Sequence, residues 1–316
     1  MTRKKMLPLA LLAAVVVLLA VLLAALHSAA EEEELPGIAL CPLTAAELDT
    51  VSYSGENVEV TLQKGSGGTW RLASDPSLPL DQEDVAALVE QYAALRADRR
   101  LQGDELAEIP ARSETPLMIF TLTGGETTRT LTVDCANDVA EIYYLYDETG
   151  AAYTIPQDDL IGLCKAPRDL YEPQTLTDKT ADDVAEMEVG ALTFTHTDGE
   201  WTLDGEPDYP LDQDAVQKMA NTLCNLQTEW TITAPEDGGY GLTHPDVVAV
   251  LSFTDGTALT VRFGNETPGD DGACYLRASS DPSVVYEVNA DHKNAFAVTK
   301  QSLYDAEATA ETAAED

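Results

Sequence analysis

Histidines are the side chains of this chain best suited to metal binding or acid–base catalysis, and it has four of them: His27, His196, His244 and His292. Each is isolated, with no HExxH motif and no second histidine a few residues away, so the spacing does not predict a metal centre. The Gly-x-Ser-x-Gly nucleophile elbow is also absent. We therefore predict no catalytic, cofactor-binding or metal-binding residue, and a protein that is not an enzyme.

Other chemically suggestive motifs are incomplete. The stretch Gly65–Gly68 lacks the Lys-Ser/Thr of a phosphate-binding loop, and Asp270–Gly272 lacks the spacing and terminal Glu of an EF-hand. With 56 acidic residues, no carboxylate pair stands out for glycoside hydrolysis. Trp70 and Trp201 could form a carbohydrate platform, but their equivalent positions before a helix favour a role in core packing.

The five cysteines are Cys41, Cys135, Cys164, Cys224 and Cys274. None forms a Cys-x-x-Cys motif, so neither a thioredoxin-like site nor a zinc knuckle is predicted. We expect most of them to be small core residues. The one disulfide that we consider worth testing is Cys135–Cys164.

The charge balance excludes several classes of protein. The chain has 18 Lys and Arg against 56 Asp and Glu, a net charge of −38 in 316 residues. Nucleic-acid binding requires clustered cations that neutralise phosphates, so no nucleic-acid partner is expected. The 44% hydrophobic content and the length suit about two globular domains.

The N-terminus resembles a membrane anchor. Residues 7–27 are apolar apart from His27, and 20 such positions span about 30 Å, the thickness of the hydrocarbon core. Basic residues precede the run, so residues 1–6 should be a cytoplasmic stub and the bulk of the chain should be extracytoplasmic, at the plasma membrane. The alternative is a signal peptide cleaved after Ser28-Ala29-Ala30. Residues 28–40 are expected to be an acidic linker.

The chain contains an internal duplication. The segment Trp70–Val85 aligns without a gap on Trp201–Val216, at an offset of 131 residues. An offset of this length is the size of a domain. We predict one repeat at 41–167, a joint at 168–175, a second repeat at 176–305 and a disordered acidic tail at 306–316.

Each repeat contains the pattern of one helix among several strands. Asp81 and Asp212 are candidate N-caps, and apolar residues follow them at helical spacing over about 16 to 18 residues. Alternating segments such as Val58–Leu62 and Leu192–His196 predict strands. The predicted fold class is α+β: two tandem repeats, each one helix packed on an antiparallel sheet, preceded by a single N-terminal transmembrane helix.

The second repeat resembles a known family. Its Tyr240-Gly241-Leu242 with Pro245, and its Phe263-Gly264-Asn265-Glu266-Thr267 and Tyr275-Leu276-Arg277, are similar to the bacterial DUF4340 family. The first repeat lacks Tyr-Gly-Leu and has Asp134–Asn137 in place of the Gly-Asn-Glu-Thr turn. The resemblance implies a membrane helix followed by α+β units, no established enzymatic activity, and an accessory role beside ABC-type export components.

The sequence and this resemblance together favour a membrane-anchored extracytoplasmic accessory or interaction protein of unknown biochemical activity. Its expected partners are the lipid bilayer, through the N-terminal helix, and a membrane protein complex that includes ABC transporter components. Two alternatives stay open: an extracytoplasmic module that binds a glycan, peptide or cation, and, third in order, a hydrolase.

Overall fold

The computed structural model describes residues 37–236 and 238–305, which form two large antiparallel sheets and a small one. The first large sheet has the strand order β4-β3-β2-β7-β8-β9-β10-β6. Its strands are β2 (Thr50–Gly55), β3 (Val58–Lys64), β4 (Trp70–Leu72), β6 (Arg99–Arg100), β7 (Met118–Gly124), β8 (Thr127–Asn137), β9 (Ile142–Asp147) and β10 (Ala152–Pro156). Strands β1 (Ile38–Ala39) and β5 (Arg96–Ala97) form the small sheet.

The second large sheet has the equivalent strand order, β13-β12-β11-β15-β16-β17-β18-β14. Its strands are β11 (Val184–Val189), β12 (Leu192–Thr197), β13 (Glu200–Leu203), β14 (Trp230–Ile232), β15 (Val247–Phe253), β16 (Ala258–Thr267), β17 (Asp270–Ala278) and β18 (Val285–Asn289). In both large sheets, therefore, the first strand of that sheet to follow the long helix pairs at the edge farthest from the strand that precedes the helix.

The predicted α+β class is wrong, because the described residues are mostly β. They form 18 strands, whereas the four α-helices contain 12, 4, 12 and 5 residues. These helices are α1 (Gln82–Ala93), α2 (Glu105–Glu108), α3 (Gln213–Cys224) and α4 (Ala290–Asn294). The prediction missed central strands: β11 has the sequence VAEMEV, whose Ala, Glu and Met are better helix formers than strand formers. Pairing within the sheet overrides that propensity.

The long helices begin at the predicted caps but are shorter than expected. Asp81 accepts hydrogen bonds from the backbone N–H groups of Glu83 and Asp84, and Asp212 accepts one from Ala215. Each helix packs its apolar stripe on one face of its sheet; in the second, Val216, Met219 and Leu223 lie in the same buried cluster as Phe263 and Leu276 of the sheet.

A glutamine at the start of each long helix bonds the preceding edge strand. Gln213 accepts from the backbone N–H of Trp201 at 2.7 Å and donates from Nε2 to its carbonyl at 2.9 Å. Gln82 makes the same pair of bonds to Trp70, at 2.8 and 3.1 Å. The glutamine thereby satisfies backbone groups that an edge strand leaves free, which explains why Trp and Gln recur at one spacing in both halves.

Described residues of the predicted linker and joint are packed into the core. Leu40, in the predicted linker, is 1% exposed, and Leu170 and Tyr171, in the predicted joint, lie in the core of the first sheet. The predicted membrane anchor at residues 7–27 and the predicted tail at residues 306–316 lie outside the described residues. None of the helices described has the length and apolar character needed to cross a membrane.

The two large sheets are joined by buried polar contacts. The hydroxyl of Tyr171 lies 2.6 Å from that of Thr228 and 2.7 Å from that of Thr231, and its ring packs on Trp230 at 5.3 Å. Arg168 lies over Trp230 and donates to Glu287 of β18 at 2.6 Å. The region that links the two halves is thus anchored on both.

Replacing Gln213 by Ala should lower the free energy of unfolding by about 1 to 2 kcal/mol, because both hydrogen bonds to Trp201 are lost at a site that water can partly reach. Chemical denaturation of the purified protein measures this change. The control is Lys218→Ala, an exposed position on the same helix, which should leave stability nearly unchanged. Equal stability of the two variants would show that the glutamine bonds contribute nothing.

Candidate functional site

The candidate site follows from how the chain leaves β14. This strand pairs with β18 at one edge of the second sheet, but the next strand, β15, lies beyond β17 and β16. Residues 233–236 and 238–246, which we call the crossing segment, must therefore pass over three strands. Helix α3 and the core occupy one face of the sheet, so the crossing segment lies on the opposite, outer face.

The residues beneath the crossing segment are set by strand alternation. Cys274 and Leu276 of β17 are fully buried in the core, so Tyr275 and Arg277 point to the outer face. The ring of Tyr240, from the crossing segment, packs edge-on against Tyr275 with centroids 4.8 Å apart. This aromatic contact fixes the middle of the segment on the sheet.

A β-bulge in β16 brings the backbone of the crossing segment down to the sheet. The pairing of β16 with β17 is interrupted between Phe263 and Glu266, so Gly264 and Asn265 are released from the ladder. The N–H of Asn265 donates to the carbonyl of Tyr240 at 2.8 Å, and its Nδ2 donates to that of Gly239 at 3.3 Å. The predicted Gly-Asn-Glu-Thr turn is therefore not a turn but a bulged strand.

Two glycines make this contact possible. A Cβ added at Gly264 would lie 2.0 Å from the carbonyl oxygen of Tyr240. Gly241 has φ +73°, and a Cβ there would lie 2.4 Å from Oδ1 of Asn265. The Tyr-Gly-Leu motif and the Gly-Asn motif are thus two sides of one close backbone contact.

A cavity of about 390 Å³ remains between the crossing segment and the sheet. We call it the crossing-segment cavity. Its lining is mainly polar and consists of Glu236, Gly238 to His244, Asn265 and Arg277. Among the side-chain nitrogen and oxygen atoms buried in the described part of the chain, Nε of Arg277 alone has no hydrogen-bond partner. An orphaned buried donor beside a cavity requires an explanation, because leaving it unpaired costs free energy.

The first sheet has the equivalent crossing, which covers the position corresponding to Arg277; its own cavity, of about 480 Å³, lies instead beside the turn between β9 and β10. Residues 101–117 run from β6 to β7 over its outer face, and the guanidinium of Arg112 lies 3.7 Å from the ring centroid of Tyr146. Tyr146 stands 131 residues before Arg277. The N–H of Ser113 donates to the buried carboxylate of Asp134, which lies at a bulge between Val133 and Cys135. Desolvation by burial, above all, raises the pKa of the Tyr146 hydroxyl.

The histidines and tryptophans singled out from the sequence do not converge. His196 stacks on Trp201 at 4.4 Å with Nδ1 3.0 Å from the carbonyl oxygen of Val184, whereas His244 lies at the cavity. His292 is half-buried on α4, and burial lowers its pKa. Trp70 and Trp201 are 6% and 2% exposed, which confirms their packing role. Within residues 37–236 and 238–305, no three His, Cys, Asp or Glu side chains cluster as metal ligands would.

All five cysteines are free thiols, so the Cys135–Cys164 disulfide is not formed. The Sγ of Cys164 lies 3.9 Å from the carbonyl oxygen of Ser54 in β2, whereas Cys135 belongs to β8, and β7 runs between those strands. Strand spacings of about 5 Å put the two residues beyond disulfide reach. Cys41, Cys224 and Cys274 are buried, as expected of small core residues.

The comparisons with known proteins point to the same part of the chain. The family model of DUF4340, a domain of unknown function, matches residues 201–311. The predicted resemblance to the DUF4340 family is thereby confirmed over this region, which contains α3, the crossing segment and the strands beneath it. No curated protein and no solved structure matches the chain significantly.

Replacing Gly264 by Ala should detach the crossing segment, because the new Cβ overlaps the carbonyl oxygen of Tyr240. We expect the free energy of unfolding to fall by about 1 to 3 kcal/mol and amide exchange in residues 238–246 to accelerate. Hydrogen exchange followed by mass spectrometry measures the second effect.

The matched control is Gly67→Ala. Gly67 has no heavy atom within 4 Å of an added Cβ, and its φ lies outside the left-handed region. This variant should exchange like the unmodified protein. Unchanged exchange in residues 238–246 of the Gly264→Ala variant would contradict the close contact.

Thiol labelling should follow burial. Desolvation raises the pKa of Cys224 and of Cys274 to about 11, so at pH 8 their thiolate fraction is on the order of 0.001. In the native protein both should alkylate at least about tenfold more slowly than half-buried Cys135, and their rates should rise as the pH approaches 11. After unfolding without reductant, all five thiols should react; only three reactive thiols would reveal a disulfide.

Proposed function

We propose that this protein is a membrane-anchored, extracytoplasmic accessory protein that is not an enzyme, and that the crossing-segment cavity binds its partner in a membrane complex. The DUF4340 match supports an assignment no finer than a domain of unknown function, so the partner and the location are part of the proposal. The apolar segment at residues 7–27 supports the anchor, and the family resemblance supports an ABC-type export system as the complex.

The observation that carries the proposal is the difference between the two outer faces. One duplicated scaffold closes over Tyr146 in the first sheet but leaves a cavity of about 390 Å³ beside Arg277 in the second. A purely structural role would be served equally well if both of these equivalent positions were covered. The residues that build the open face, Tyr240, Gly264 and Asn265, belong to the motifs that carry the family resemblance.

The open alternative, a module that binds a glycan, peptide or cation, is narrowed by the same cavity. The half-buried guanidinium of Arg277 would repel a bound cation, which disfavours a cation as the ligand. The cavity and its polar lining suit an anionic or hydrogen-bonding group. This binding activity and the accessory role are compatible, because the bound group can belong to the partner.

Site-specific photocrosslinking in native membranes tests the proposal. A photoreactive residue at Thr243, an exposed position lining the cavity, should crosslink to a component of the ABC-type complex, because the cavity faces that partner. Adding Gly264→Ala should reduce the yield several-fold by displacing the crossing segment. The matched control is a photoreactive residue at Gln102, an exposed position that lines the cavity in the crossing of the first sheet, which should give no such product.

Two results would contradict the proposal. Equal crosslinking from the Gln102 and Thr243 positions would show that the crossing-segment cavity does not bind the partner. Lys218 is exposed, so in intact cells it should react with a membrane-impermeant amine reagent; absence of labelling there, with labelling after lysis, would show that the extracytoplasmic placement is wrong.

A further inference from the structure

Two arginines lie side by side on the outer face of the second sheet. Arg262 of β16 and Arg277 of β17 are direct cross-strand partners, so their side chains project from the same face. Like charges in this arrangement destabilise a sheet unless something compensates them. Arg262 is exposed and Arg277 is half-buried at the crossing-segment cavity.

Among the described residues, no ion pair involves Arg262 or Arg277, although acidic residues outnumber basic ones by 56 to 18 in the full sequence. Within the described residues the ion pairs engage other cations, such as Arg168 with Glu287 and Lys293 with Asp246. The orphaned Nε of Arg277 adds a second, independent sign of a missing acceptor. The unpaired donor calls for a hydrogen-bond acceptor, and the two adjacent guanidinium groups favour one that carries a negative charge.

We propose that the crossing-segment cavity binds a carboxylate group of the partner, held by Arg277 with Arg262 beside it. This inference rests on the proposed function, since it names the chemistry of the same site. A guanidinium presents parallel N–H donors that match the two oxygens of a carboxylate, and burial strengthens such a bond. Asn265 and the glycine backbone around it line the same cavity.

An acidic side chain in the lining disfavours a ligand that carries more than one negative charge. Glu236 is the acidic side chain in the described lining, and it is exposed at the rim. A singly charged carboxylate beside Arg277 is repelled less by Glu236 than a dianionic phosphate would be. A carboxylate is therefore the better match.

Ligand-observed NMR on the full-length protein in detergent micelles tests this inference. The probe is N-acetyl-L-alanine, which carries a peptide-like carboxylate, and its neutral counterpart is N-acetyl-L-alanine amide. The acid should bind and the amide should not. Arg277→Gln should weaken binding of the acid by about tenfold or more, because a charge-assisted hydrogen bond is lost. Glu236→Gln should tighten it by a few-fold, because a repelling charge is removed.

The matched control is Arg71→Gln, which removes an exposed arginine of β4 in the first sheet and should leave binding unchanged. The opposite signs expected for the Arg277 and Glu236 variants keep the test decisive even if one variant is unstable. Inorganic phosphate should bind more weakly than the acid.

The inference is overturned if the acid does not bind, if the amide binds equally, if phosphate binds more tightly, or if Arg277→Gln behaves like Arg71→Gln. Crosslinking from Thr243 that persists under any of these results would leave the proposed function standing and remove only the carboxylate. If crosslinking from Thr243 is lost while the acid still binds and its binding depends on Arg277, the carboxylate site stands and the proposed function is overturned.

Discussion

The structure depends on one topological constraint. In each large sheet the helix covers one face and delivers the chain to the far edge, while the next strand must pair near the middle of the sheet. The chain can return only over the uncovered face. The outer side chains of β16 and β17 are consequently placed beneath a segment of about a dozen residues, whose own conformation is free of strand geometry. A cavity can therefore form there without loss of sheet hydrogen bonds.

The two halves resolve this constraint differently. In the first sheet an arginine from the crossing packs over a strand tyrosine, Arg112 over Tyr146, a contact worth about 0.5 to 2 kcal/mol. In the second sheet the strand supplies the cation, Arg277, and its buried Nε stays unpaired at a cost of about 1 to 3 kcal/mol. A duplicated fold that keeps such a cost in one copy has a feature whose benefit lies outside stability.

The sequence predicted local features better than the architecture. The Asp81 and Asp212 caps and the buried Trp70 and Trp201 followed from residue types whose physics is local. The α+β class failed because the helices are shorter than expected and because central strands such as β2 and β11 were missed; β11, most of whose residues favour helix, is a strand through pairing with its two neighbours. No local pattern contains that information.

At the candidate site, too, local motifs could be predicted but their contacts in space could not. The Tyr-Gly-Leu and Gly-Asn motifs were visible in the sequence, yet nothing in their spacing indicated that Gly264 contacts the backbone of Tyr240. Arg277 belongs to a motif that resembles the DUF4340 family, but no role for it could be derived from the sequence. The signal that could have found it is comparison of the copies, since the position of Arg277 corresponds to Tyr146, an aromatic residue that is covered in the first sheet.

The overall charge and the proposed anchor bear on what such a site can bind. A net charge of −38 repels a small anion approaching from solution, although at physiological salt this repulsion decays over about 8 Å. A carboxylate carried by a protein in the same membrane does not depend on that approach, because tethering raises its effective concentration to the millimolar range. A shallow, weakly binding cavity on an acidic body is thus suited to a membrane neighbour and poorly suited to capturing a dilute free ligand.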